Sequence, residues 1–220
     1  MEAPFDLDQT DRLLTTTRAV RKRLDLTRPV PREVVLDCIR LATQAPTGGN
    51  VQRGRWLVVE DPELKAQIAE YYRRAYAPYI EVQRASVEKV GRTDASTLGI
   101  LSSSDYLAEH LHEVPTFVIP CILDRVPHDA KQGLMAGFYG SILPAVWSFQ
   151  LALRARGLGS VWTTLHLEYE EEVADLLGIP HTVSQVALMP VAYTIGTDFK
   201  PGTRRPAEEI TYYDRWKATS

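Results

Sequence analysis

The stretch QGLMAGFYGSILPAVWSFQLALRARG, near the middle of the chain, constrains the fold most. Its apolar residues leave hardly any polar face at helical spacing. A helix of this kind is buried on several sides, either in the core or against a second copy of the chain. The pattern predicts one helix over residues 131–153, closed by Gly157. Within it Pro144, Ser148 and Gln150 interrupt the longest apolar run, which falls short of a membrane span. No membrane partner is expected.

With 220 residues the chain can bury one sizeable core, and a single domain over residues 1–220 is expected. An apolar fraction of 45%, a charged fraction of 24% and a net charge of −3 are ordinary for a globular protein and give no support for nucleic-acid binding. Small molecules or a second copy of the chain are the expected partners. Cys38 and Cys121 lie in apolar runs, VVLDCIRLA and FVIPCIL, where a free thiol behaves as a small buried hydrophobe. They form no disulfide framework or metal spacing, which suits a reducing cytoplasm. The first residues, MEAPFDLDQTDR, are acidic and lack a signal peptide's basic and apolar regions, so a cytoplasmic location is expected.

Helical spacing recurs in LDQTDRLLTTTRAVR, in PVPREVVLDCIRLATQA with its proline start, and in DPELKAQIAEYYRRAYAPYI. RWLVVE, TFVIPCIL, GLGSVWTTLH and VSQVALMPVAY read as strands, Pro120 arguing for an edge position or a bulge in the second. EYEEEVADLLGIP reads as a short acidic helix ending at Gly178. Residues 81–104 are polar and weakly patterned, and read as a mobile excursion or lid, with a variable segment at about 80–112. The tail from TDFKPGTRRP is polar, punctuated by proline and expected to wrap across the surface. Helices and strands alternate without a regular βαβ period. The fold class is therefore α+β, with a central, mostly antiparallel or mixed sheet flanked by helices.

APTGGNVQRGRW joins the second helix to the first strand. It reads either as a helix stop at Pro46 with a glycine turn, or as a loop whose glycines bring backbone N–H groups close to a ligand while Thr47, Asn50 and Gln52 add hydrogen bonds. Three basic sets, Arg18, Arg21, Lys22 and Arg23, then Arg53 and Arg55, then Arg204 and Arg205, are either solvated charge or a dispersed phosphate site. No G-x-G-x-x-G, P-loop or nucleophile elbow is present, and the five histidines have no metal-ligand pairing. No metal site is expected, and no side chain is nominated as a catalytic acid or base.

Four segments in order carry a likeness. TTRAVRKRL with RPVP, APTGGNVQRGRWLVV, ILPAVWSFQLALRARGLGSVWTT and MPVAYTIGTDFKPGTRRPAEEI together resemble the signatures of the nitroreductase family of FMN-dependent oxidoreductases. The resemblance implies an intertwined homodimer with FMN at the subunit interface, NADH or NADPH as reductant, and a small electron-poor acceptor such as a nitroaromatic or quinone. It implies that Arg18, Ala19, Val20 and Arg21 lie along the ribityl and phosphate, joined at the phosphate by Arg204 and Arg205. Pro46, Thr47, Gly48, Gly49, Asn50 and Gln52 would reach the flavin from the second subunit, and Thr163 and Thr164 would face its ring. Residues 67–112 would cover the substrate pocket, with Tyr71, Tyr72, Tyr76, Tyr79 and Tyr106 either stacking there or packing the core. Ala19 stands where a serine is common, and Arg53 and Gly54 where proline and tryptophan are. Other uses of FMN stay open, among them reductive dehalogenation, flavin fragmentation and ring dehydrogenation, as does a flavin-binding protein without turnover.

Overall fold

The computed structural model describes residues 4–91 and 94–217. It divides into a body, Arg18–Thr197, and a second unit made of the two terminal segments up to Thr17 and from Asp198. The body carries helices α2 (Arg32–Ala42), α3 (Pro62–Val90), α4 (Ala95–His110), α5 (Gln132–Gly140), α6 (Leu143–Ala155) and α7 (Glu170–Leu177). Its strands are β1 (Gly54–Val59), β2 (Thr116–Leu123), β3 (Leu158–Ser160), β4 (Val183–Gln185) and β5 (Met189–Tyr193). The terminal unit holds α1 (Leu7–Thr16), capped by the Asp6 carboxylate on the Gln9 N–H, and the single turn α8 (Ala207–Ile210).

The strands form one antiparallel sheet in the order β1-β2-β5-β3, with β4 beside the far end of β2. This is the α+β, largely antiparallel arrangement expected from the sequence. β2 is internal, not an edge strand, and its proline is accommodated by a change of neighbour. Residues 116–118 pair with β5 and residues 121–123 with β4, so Pro120 falls in the gap between the two ladders. Its carbonyl accepts the Val186 N–H at 2.9 Å. A strand residue points its N–H and C=O to the same side, so the missing donor falls on this interrupted side and not on the β1 side. The stretch read as one strand, residues 183–193, is accordingly two, β4 and β5.

The core lies between α2, α6 and one sheet face. Val35, Cys38 and Ala42 of α2 meet Val146, Phe149 and Leu153 of α6 and Val118 and Ile122 of β2, and Trp56 packs on Phe149 with ring centroids 5.2 Å apart. Alternation along β2 turns Phe117 and Ile119 to the opposite face, where they too are fully buried. Burial pushes the Cys121 thiol up to about 12 and raises that of Cys38, which makes both inert packing groups.

Two helical expectations change. The central apolar helix is broken into α5 and α6 at Ser141 and Ile142, because Pro144 can occupy only the first turn of a new helix. Residues 81–104 are mostly helical. α3 starts at Pro62 under a cap from Asp61, whose carboxylate accepts the Glu63 and Leu64 N–H groups at 2.9 Å, and runs to a left-handed Gly91. Its inward stripe holds Lys65, Ile68, Tyr72, Tyr76 and Ile80. The Lys65 ammonium donates to the Val114 and Pro115 carbonyls at 2.7 and 3.0 Å, fixing the start of the helix to the entry of β2. α4 is capped by Asp94 and joined to α3 by a polar latch, in which Asp105 accepts from the Tyr76 hydroxyl at 2.8 Å and from Arg84 at 2.8 and 2.9 Å.

At the far edge of the sheet, Ala19 and Val20 meet the end of β3, after which the chain turns so that Leu24 bridges Thr194 just beyond β5. Ala19 bridges Ser160, the Val20 N–H donates to the Ser160 carbonyl at 2.9 Å, and a Cβ on Gly159 would lie 2.7 Å from Thr194 Cγ2 and 3.0 Å from Val20 Cβ. Only a glycine lets Val20 cross β3 this closely. Gly159→Ala is therefore expected to lower folding stability by about 1–3 kcal/mol through overpacking, read as a lower urea midpoint with unchanged slope.

Candidate functional site

Two groups of the sequence-derived site residues are brought together on the body. Ala19 and Val20 meet the end of β3 through the Ala19–Ser160 bridge, with Arg18 and Arg21 on either side of them in sequence, and Thr163 and Thr164 lie shortly beyond that strand. α6 supports this edge from within, where buried Gln150 donates to the Ser160 hydroxyl at 3.2 Å. Thr163 is held at three points: its N–H and hydroxyl donate to the Leu188 carbonyl at 3.2 and 2.9 Å, and its own carbonyl accepts the Leu188 N–H at 2.9 Å. Its hydroxyl is thus engaged, whereas Thr164 is exposed.

The first basic set is divided among different tasks. Arg21 Nη1 reaches the Ser103 hydroxyl at 3.4 Å and Lys22 Nζ the Ser102 hydroxyl at 2.7 Å, both on α4. Arg23 is structural, its Nε donating to the Ile195 carbonyl at 2.7 Å. Ser102 and Ser103 were missed in the sequence as site neighbours; their signal was the serine run inside the polar stretch. The tyrosines divide likewise. Tyr72 and Tyr76 are buried and stacked 6.3 Å apart, Tyr71 packs on Tyr169, Tyr106 on His110, and Tyr79 is exposed. Burial pushes the Tyr72 phenol up to about 12, and burial together with the Asp105 contact raises that of Tyr76, so both are packing groups.

The loop Pro46–Gln52 is elsewhere. It leads into β1, at the opposite edge of the sheet from β3, and three strand spacings of about 4.8 Å separate these edges by about 14 Å. Gly48–Asn50 form a 3-10 turn in which Gly49 is left-handed, followed by left-handed Gln52. The loop borders a cavity of about 260 Å³ lined by Val51, Ile122, Gly133, Leu134 and Phe138. Gly48 and Gly49 are exposed, the Gly48 N–H being bonded to the Ser141 hydroxyl at 3.1 Å.

Arg204 and Arg205 belong to the terminal unit, where both are exposed and Arg204 Nη1 donates to the Thr203 carbonyl at 2.8 Å. The middle basic set is taken up by the protein itself: Arg53 pairs with Asp124 at 2.9 Å, and Arg55 donates to loop carbonyls. Among the described residues no cluster of three or more His, Cys, Asp or Glu residues could hold a metal ion, and no helix is long and apolar enough to cross a membrane.

Behind the Thr163–Thr164 edge, on the turn Leu165–Tyr169, His166 is fully buried and neither ring nitrogen has a hydrogen-bond partner among the described residues. Burial alone pushes its pKa down to about 3.

The profile of the Nitroreductase family matches residues 14–193. An iodotyrosine deiodinase from Thermotoga neapolitana is 27% identical over 198 residues, spanning 90% of this chain and 93% of the relative. Iodotyrosine deiodinase 1 from Rattus norvegicus is 28% identical over 184 residues, which is 82% of this chain but 60% of the rat protein, so the chain spans well short of the whole animal relative. Among solved structures, oxidised iodotyrosine deiodinase bound to FMN and 3-iodo-L-tyrosine is similar with a TM-score of 0.69 at 25% identity, over 94% of this chain and 99% of that one.

An unfolded histidine titrates near pH 6.5, so between that pH and about 3 the unfolded chain carries a proton on residue 166 that the folded chain does not. Stability is expected to fall as pH drops through this window and to be insensitive to this residue above it. Denaturant midpoints measured from pH 7.5 to 4 should show a shallower acid slope in His166→Leu than in the natural chain.

Proposed function

The chain belongs to the nitroreductase family, and from that premise we propose that it is an FMN-dependent oxidoreductase acting as an intertwined homodimer, with residues 1–220 serving as one FMN-binding domain in the cytoplasm. The observation that carries this reading is the division of the candidate residues between opposite sheet edges about 14 Å apart. One copy offers a cationic half and a loop half that do not meet. Two copies related by a twofold axis join each cationic half to the other's loop, giving two complete sites. Exposed Leu134, Tyr139, Leu143 and Trp147 on α5 and α6 supply an apolar face for such a partner.

The residues fit FMN on the chemistry of their donors. Arg18 and Arg21, three positions apart beside β3, offer guanidinium forks to a phosphate dianion, and Arg204 and Arg205 would close on it from the tail. Ala19 and Val20 give a low, unbulky edge for the ribityl chain. Thr163, fixed by its three bonds to Leu188, sets the direction of exposed Thr164 towards the ring. From the second copy, Pro46 and Thr47 would flank the ring edge, Gly48 and Gly49 would admit its plane close to the backbone, and Asn50 and Gln52 would offer amides to its heteroatoms. FMN, when bound, supplies the redox chemistry: it accepts hydride from NADH or NADPH and passes electrons to a small electron-poor acceptor such as a nitroaromatic or quinone. The protein's own share is to bind, orient and tune.

The names of the relatives favour a second reading, reductive dehalogenation of a halogenated phenol on the same cofactor. Both readings share the reductive half, so they part only at the acceptor.

The purified protein is expected to be yellow, and anaerobic mixing with NADH or NADPH should bleach it; no bleaching with either donor would reject nicotinamide-driven turnover. Mixing the dithionite-reduced protein with a nitroarene, a quinone or 3-iodo-L-tyrosine then assigns the acceptor by which one restores the yellow form. Arg204→Ala is expected to raise the FMN dissociation constant about tenfold or more, the loss of one charge-assisted phosphate contact, measured by fluorescence titration of flavin-free protein.

A further inference from the structure

Two side chains outside the Thr47–Gln52 loop hold it, one at each end. Gly49, Asn50 and Gln52 have φ of 59°, 53° and 55°, so two non-glycine residues within three positions are in left-handed backbone. Asn visits this region readily, but it is unfavourable for Gln, so the Gln52 conformation persists where neighbours enforce it. At the loop's exit, Arg55 Nη1 donates to the Gln52 carbonyl at 3.1 Å and to the Gly54 carbonyl at 2.7 Å. At its entrance, the Ser141 hydroxyl, on the break between α5 and α6, accepts the Gly48 N–H at 3.1 Å and donates to the Gly137 carbonyl at 2.7 Å. Gly48 has no room for more, since a Cβ there would come within 3.1 Å of that same hydroxyl.

Inside the loop, Gln52 Nε2 donates to Asn50 Oδ1 at 3.1 Å. The Asn50 oxygen thereby accepts one bond, which leaves its Nδ2 donor pair and one lone pair for a ligand. The loop is thus fixed in both backbone and side-chain orientation before any ligand arrives.

We propose that Arg55 and Ser141 are positioning residues for the flavin: they clamp the two ends of this loop in the left-handed form that presents Gly48, Gly49 and Asn50 to the isoalloxazine ring. The inference rests on the FMN reading given above. Its physical content is preorganisation. A loop released at either end must be ordered again on binding, and that entropic cost appears in the cofactor's dissociation constant. It also gives the middle basic set a task, since Arg55 serves the loop backbone while Arg53 pairs with Asp124.

The test uses flavin-free full-length protein titrated with FMN, followed by quenching of flavin fluorescence, alongside thermal unfolding of the same flavin-free samples. Arg55→Ala is expected to raise the FMN dissociation constant about tenfold while the flavin-free melting temperature stays within about 2 °C of the natural chain. Arg55→Lys, which keeps a cationic donor near the carbonyls, should recover to within about threefold. Ser141→Ala acts from a different segment and should weaken FMN in the same direction, so the inference remains testable if Arg55→Ala does not fold. Natural affinity in both alanine variants, or weakened affinity matched by an equal loss of flavin-free stability without rescue by lysine, overturns the positioning role. A natural chain that takes up no FMN defeats the FMN reading and this inference together, whereas unchanged variants beside a tightly binding natural chain defeat this inference alone.

Discussion

The crossing of Val20 over Gly159 is the contact on which the basic edge of the body depends. One backbone hydrogen bond to Ser160 and one missing side chain let Ala19 and Val20 close on the end of β3. The backbone between Arg18 and Arg21 is thereby tied to the sheet edge, and Arg21 reaches Ser103 of α4 from there. α6 reinforces the same strand from below through Gln150 and Ser160, which couples the most apolar part of the chain to its most basic part. Packing at this edge and the electrostatics of the candidate site are therefore the same structural fact.

Much of this was legible in the sequence where local chemistry decides the outcome. Asp61 with Pro62 starts α3, Gly178 ends α7, and Val58 and Val59 fall in a strand because they are β-branched and flanked by turn residues. Periodicity failed where the signal was weak or ambiguous. α4 exposes Leu98 and Ile100 and mixes polar with apolar residues around its circumference, so it has no face to read. The apolar helical pattern over residues 131–153 read as one helix and hid the break that Pro144 imposes. Pro120 pointed to an edge, yet tertiary structure solved the missing donor by changing strand partners.

The candidate site was read in a different way. Residues 18–21, 46–52 and 163–164 came from ordered motifs, and the sheet then placed two of these groups together and the third on the opposite edge. What no motif carried was the support. Arg55 and Ser141 hold backbone groups, and a side chain's bond to a carbonyl depends on where the fold brings that carbonyl. His166 was hidden for a related reason: a histidine without metal spacing gives no sign of whether it is exposed or fully buried. Tyrosines at helical spacing fitted either stacking or packing, and burial decided for packing at Tyr72 and Tyr76.

Pro120 has a reach beyond its own strand. Any other residue there would add a donor facing the gap between β4 and β5, where the sheet has no further ladder to receive it. An N–H at that point would be buried without an acceptor, at a cost that the proline ring removes. The carbonyl of the same residue still receives the Val186 N–H. A proline in the middle of the sheet thus lets one strand change neighbours without leaving an orphaned donor behind.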